Sequence, residues 1–81
     1  MRDIVVGKTY RHFSGNYYRV ICIAIDSTSG ELKKEVVVYE SLSKTRTIFT
    51  RPIELFNEKV DSDKYKDVLQ TYKFEPIDEY N

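Results

Sequence analysis

The side chains that could do chemistry in this chain are the kinds that hold flat, negatively charged groups. Tyr10 and His12, the latter the chain's only histidine, stand two residues apart in an extended stretch, and Phe49 and Arg51 repeat that spacing further on. Alternate residues of a strand share a face. If the two faces meet, with Tyr39 beside them, rings gather next to a guanidinium. The guanidinium forks onto a carboxylate or phosphate while a ring stacks on the flat part of the ligand. The surface expected to bind a small anionic or aromatic ligand, or a peptide, is therefore Tyr10, His12, Tyr39, Phe49 and Arg51. The architectural alternative is that His12 and Arg51 each bond a loop carbonyl or a carboxylate such as Glu54, fixing strand ends.

A second constellation points to single-stranded RNA. Arg11, Arg19 and Arg46 would meet phosphates and Tyr17 would stack on an unpaired base. Thirteen basic and thirteen acidic residues give a net charge of zero, which weakens binding that rests on phosphate neutralisation. A reader of peptides or modified lysines follows from fold analogy alone. The apolar run Glu35 to Leu42, if it lay at a sheet edge, would invite a strand from a protein partner.

Catalysis is the poorest reading, and the expectation is that the protein is not an enzyme. One histidine and one cysteine, Cys22, do not supply the three or four donors of a metal site. No phosphate loop, serine elbow or dinucleotide fingerprint is present, so no metal and no cofactor is expected. His12 as a general base oriented by Asp3 or Glu54 would need a substrate cleft that a domain this small hardly provides. Cys22, flanked by Val20, Ile21, Ile23 and Ala24, reads as a small core hydrophobe.

The elements that must position these residues are mostly strands. Ser14 to Asn16 is a turn between two strands, and the second of them runs from Asn16 to Asp26. Tyr18, Val20, Cys22 and Ala24 fall on one of its faces, and its second half is apolar on both, which a bulge near Ile23 would accommodate. Asp26 to Gly30 is a turn, Glu35 to Leu42 a third strand, Ser43 to Thr45 a turn and Arg46 to Arg51 a fourth strand. Pro52 lacks the amide a ladder needs but suits the start of a helical turn, Ile53 to Phe56, whose apolar ends would cap an open barrel. From residue 62 to 72 two readings stand. Tyr65, Val68, Leu69 and Tyr72 fit a short amphipathic helix behind a Ser62 cap, or the segment is a loop. Lys73 to Ile77 reads as a closing extended segment.

A chain of 81 residues makes one domain, since a second would be too small to offset its own chain entropy. The expected layout is a barrel core over 6–60 and a tail over 61–81. Short strands joined by turns, with no crossover long enough for a parallel unit, predict a mostly β domain, a small SH3-like antiparallel β-barrel with a helical turn after the fourth strand. An oligonucleotide-binding barrel ranks second, because it normally has a helix between its third and fourth strands. Without an export signal or membrane-length apolar run, the expected compartment is the cytoplasm and no membrane partner is expected.

These residues resemble a bacterial family known only as domain-of-unknown-function family 1653. The resemblance runs through Gly7, Tyr10, Arg11, His12, Phe13, Gly15, Asn16, Tyr18 and Val20, then Ala24, Ser27, Gly30, Val37, Val38, Tyr39, Leu42, Arg51, Pro52 and Phe56, and ends at Val60 and Tyr72 to Glu75. It implies a compact, mostly β domain and no activity. The chain departs from the pattern at Phe49, where relatives look more often to have tryptophan, and at Lys73, where they look more often to have arginine. If Phe49 stacks on a ligand, this member stacks more weakly. The function expected is a small binding or adaptor module, with RNA binding as the alternative.

Overall fold

The computed structural model describes residues 2–78. Four strands follow one another as an antiparallel meander, β1 (Thr9–His12), β2 (Tyr17–Ile25), β3 (Glu35–Ser41) and β4 (Ile48–Pro52). A one-turn helix, α1 (Ile53–Phe56), follows directly, and β5 (Phe74–Ile77) returns to pair with the outer side of β1. The sheet order is β4-β3-β2-β1-β5, antiparallel throughout.

The β1–β2 turn closes through His12 N–H to Asn16 O (2.8 Å) and Gly15 N–H to His12 O (2.8 Å). Gly15 sits at φ 106°, a conformation that side chains resist. Asp26 organises the next reversal by accepting from both the backbone N–H and the hydroxyl of Thr28, at 3.0 and 2.6 Å, ahead of a 3-10 stretch over Ser27–Leu32. These bonds also hold its carboxyl below the usual range.

The expected bulge is present, two residues earlier than the apolar pattern suggests. Val20 pairs with Tyr39 and Cys22 with Val38, so Ile21 is the extra residue. Beyond a bulge the alternation of faces inverts. Ile23 therefore packs against the core beside Val20, and Cys22, expected inside, is exposed.

The core is a cluster of rings and valines on the concave face: Tyr10, Val20, Val37, Tyr39, Phe56 and Phe74. Phe56 from α1 stacks on Phe74 from β5, centroids 4.2 Å apart and planes 10° off parallel. Tyr10 meets the edge of Phe56 at 5.4 Å.

The predicted barrel is corrected here: the sheet stays open, with β4 and β5 as its unpaired edges. The reason is local. Pro52 has no N–H for a ladder and turns the chain into α1, which carries Phe56 across the opening. Side chains rather than hydrogen bonds then span it, Arg51 of β4 lying 5.1 Å over the ring of Phe74.

The helix read over 62–72 is absent. Asp61, not Ser62, accepts from the N–H groups of Asp63 (3.0 Å) and Lys64 (3.3 Å), and successive turns follow. So short a helix is marginal in water unless packing fixes its apolar face. Here the backbone finds other partners, and Leu69 is 99% exposed. Gln70 clamps the segment onto β1, donating to the carbonyl of Arg11 (2.9 Å) and accepting from its guanidinium (2.8 Å). Beyond it, Lys59 and Tyr72 form an antiparallel bridge that leads into β5.

Candidate functional site

The open side of the sheet exposes a divided cleft. Concave-face residues from both edges line it, because Phe49 pairs with Tyr39, Arg51 with Val37 and His12 with Phe74 across their ladders. One lobe, about 210 Å³, is lined by His12, Ser14, Tyr18, Tyr39, Phe49, Arg51 and Phe74. The other, about 370 Å³, is lined by His12, Phe13, Arg51, Asp61, Lys64, Tyr65 and Lys73. His12 and Arg51 belong to both and stand between them.

Rings make the walls of the first lobe. Phe49, 41% exposed, stacks on Tyr39 at 5.7 Å, and Tyr18 meets Tyr39 edge-on at 5.4 Å. Phe74 forms the floor, with the imidazole of His12 edge-on to it at 4.8 Å. In the second lobe Phe13 leans on Tyr65 at 5.0 Å.

The hydrogen bonds leave charge uncompensated. The Arg51 guanidinium donates through Nε to the hydroxyl of Tyr39 at 3.3 Å, and among the described residues no carboxylate pairs with it. Lys64 likewise has no carboxylate partner there, whereas Lys73 is bound to Glu58 at 2.5 Å. Glu54 anchors neither His12 nor Arg51.

His12 is held as a neutral donor. Its Nδ1 accepts from the backbone N–H of Ser14 at 3.1 Å and lies 2.8 Å from the Ser14 hydroxyl. The proton therefore sits on Nε2, which has no partner among the described residues. Burial pushes its pKa below 6.5, and the nearby charges of Arg51 and Lys73 add to the effect. Among the described residues no carboxylate bonds to the ring. Among the described residues no three of His, Cys, Asp and Glu come together as metal ligands.

Four of the five residues singled out for ligand binding, His12, Tyr39, Phe49 and Arg51, thus border one cleft. Tyr10 does not. It is 1% exposed, and its hydroxyl accepts from the Val5 N–H at 3.0 Å. Tyr39 presents only an edge, being otherwise core.

The cations of the RNA reading lie on the other face or in a turn. Arg11, paired in register with Tyr17, is held by Gln70. Arg19 stands opposite Glu40, and Arg46, in the β3–β4 turn at φ 51°, reaches the same Glu40 at 3.5 Å.

Sequence reasoning missed Phe13, Ser14, Tyr18, Asp61, Lys64, Tyr65, Lys73 and Phe74 as lining residues. Tyr18 was within reach of the pattern, since the short turn sets it near His12. Nothing local ties Phe74 and the 61–65 segment to the cleft, because they arrive from the far end of the chain.

A family described as a protein of unknown function, DUF1653, matches residues 8–76. No curated protein and no solved structure matches the chain.

Proposed function

This chain belongs to the DUF1653 family, and from that premise, which carries no activity, we propose that it is a small binding module whose divided cleft holds an anionic ligand against Arg51 and His12. The observation that supports this reading is a half-buried guanidinium that, among the described residues, has no carboxylate partner, placed beside an Nε2–H donor equally unpartnered there and an exposed ring, Phe49. A guanidinium bonded to a neutral hydroxyl in a partly desolvated place keeps its charge uncompensated, and a ligand anion offsets that cost. The curved meander with its helical turn after β4 is SH3-like in plan without being a closed barrel. On this reading the protein works in the cytoplasm, by binding rather than by turnover, and with no cofactor. RNA binding through Arg11, Tyr17, Arg19 and Arg46 ranks second, since Arg11 and Arg46 are already engaged.

Amide and imidazole NMR shifts followed during titration with inorganic phosphate and with benzoate test the proposal. The expected result is shifts concentrated at His12, Ser14, Phe49 and Arg51, lost in Arg51→Met. Shifts confined to the convex face around Arg11 and Arg19 would overturn it.

A further inference from the structure

The two lobes of the cleft differ in chemistry, and the difference specifies a ligand. The smaller lobe is a ring box of Tyr18, Tyr39, Phe49 and Phe74, with Arg51 as its only charged side chain among the described residues. In the larger, three cations, Arg51, Lys64 and Lys73, face one carboxylate, Asp61. That carboxylate is turned to its own backbone, accepting from the N–H groups of Asp63 and Lys64. With Lys73 held by Glu58, Arg51 and Lys64 remain as two cations without a carboxylate partner among the described residues.

From this juxtaposition we infer that the cleft takes one small ligand in two parts, a planar aromatic ring against Phe49 and a phosphate monoester between Arg51 and Lys64. This rests on the cleft reading proposed above and deepens it. A phosphate monoester carries about −1.5 to −2 charges at neutral pH, which matches these two cations; a carboxylate would leave one of them unmatched. Arg51 sits where the parts join, its guanidinium 5.1 Å over Phe74 and within both lobes. The Nε2–H of His12, at the same junction, is a further donor to the phosphate or its ester oxygen. The aromatic lobe alone is smaller than the about 300 Å³ at which small-ligand sites begin, and the two together lie inside the usual range.

The test compares adenosine 5′-monophosphate with its halves, adenosine and inorganic phosphate, by calorimetry and by shift mapping on the full chain. The mononucleotide is expected to bind at least tenfold tighter than either half. Phe49→Ala is expected to weaken it about tenfold, within the range for a base stacked on an aromatic side chain, and to leave phosphate binding unchanged. Lys64→Gln is expected to weaken the mononucleotide and phosphate and to spare adenosine. Phe49→Trp, which keeps the wall and enlarges the ring, is expected to tighten the mononucleotide and guards against a Phe49→Ala chain that merely unfolds. If phosphate shifts His12 and Arg51 but the ring adds nothing, or Lys64→Gln changes nothing, this inference falls and the cleft reading stands. If none of the three compounds moves those resonances, both fall. Tighter binding of an unphosphorylated tetraribonucleotide than of the mononucleotide would overturn the inference in favour of a nucleic-acid surface.

Discussion

Replacing Arg51 by methionine separates what this side chain does for the fold from what its charge does for the cleft. Methionine keeps an unbranched stem along Phe74 and deletes the guanidinium, so the apolar packing survives. Two interactions are lost. One is the hydrogen bond to the Tyr39 hydroxyl, long at 3.3 Å and worth about 0.5–1.5 kcal/mol. The other is the cation over the Phe74 ring at 5.1 Å, worth about 0.5–1 kcal/mol at a site that is not fully buried. Arg51→Met is therefore expected to destabilise the protein by about 1–2.5 kcal/mol. With a urea m-value of about 1 kcal/mol/M for so short a chain, the midpoint falls by about 1–2.5 M at unchanged slope. The same variant removes one of the two charges that disfavour the imidazolium of His12, so the His12 pKa is expected to rise and yet stay below 6.5, because burial and Lys73 remain. Urea denaturation and an NMR titration of the single imidazole measure both in one sample series. A loss above about 4 kcal/mol, the scale of breaking a buried ion pair, would show that Arg51 is architectural. An unmoved His12 would refute the placement of the guanidinium beside the ring.

Three further outcomes follow from the same contacts. The folded-state pKa of His12 lies below its unfolded value of 6.5, so the unfolded chain binds more protons in that window; stability is full above pH 6.5, declines as pH falls through the lowered value, and His12→Gln is expected to flatten that part of a denaturation-versus-pH profile. Phe56→Ala, which empties a fully buried site stacked on Phe74, is expected to cost about 3–5 kcal/mol of the roughly 4–12 kcal/mol that an 81-residue domain possesses, visible as a large loss of thermal stability by circular dichroism. Cys22, exposed beyond the β2 bulge, is expected to react with a chromogenic disulfide reagent at full stoichiometry in the native protein, whereas a thiol that reacts only on denaturation would put Cys22 back in the core.

Much of the fold was legible because its signals are local. The Gly15 turn, the alternation through Val37 and Tyr39, the Asp26 cap and the helical turn after Pro52 all rest on residues within a few positions of each other. The bulge was legible as a need, from a β2 apolar on both faces, but not to the residue. Its position decides whether Cys22 or Ile23 faces inward, and that depends on how β3 pairs. The helical spacing of Tyr65, Val68, Leu69 and Tyr72 misled for a related reason: the turn at Asp61 and the Gln70 clamp satisfy the segment's polar groups without a helix.

Strand periodicity put Phe49 and Arg51 on one face and Tyr10 and His12 on another, and three of those four line the cleft. How deep each side chain lies along its strand could not be read from a period of two. Tyr10 lies deeper on β1, behind the Phe56–Phe74 stack, and Tyr39 is cut down to an edge by Phe49.

By itself, then, the order of residues determined the first four strands, their turns and the faces of the rings at Tyr10, Tyr39 and Phe49, because those depend on backbone preferences and a period of two. Closure and cleft were decided only in three dimensions. Whether the sheet rolls shut depends on what Phe56 and Phe74 do when they meet from distant parts of the chain, and they stack across an opening that proline keeps the backbone from bridging. That Arg51 meets no carboxylate among the described residues arises in the same way, since no local rule says which carboxylates stay out of its reach.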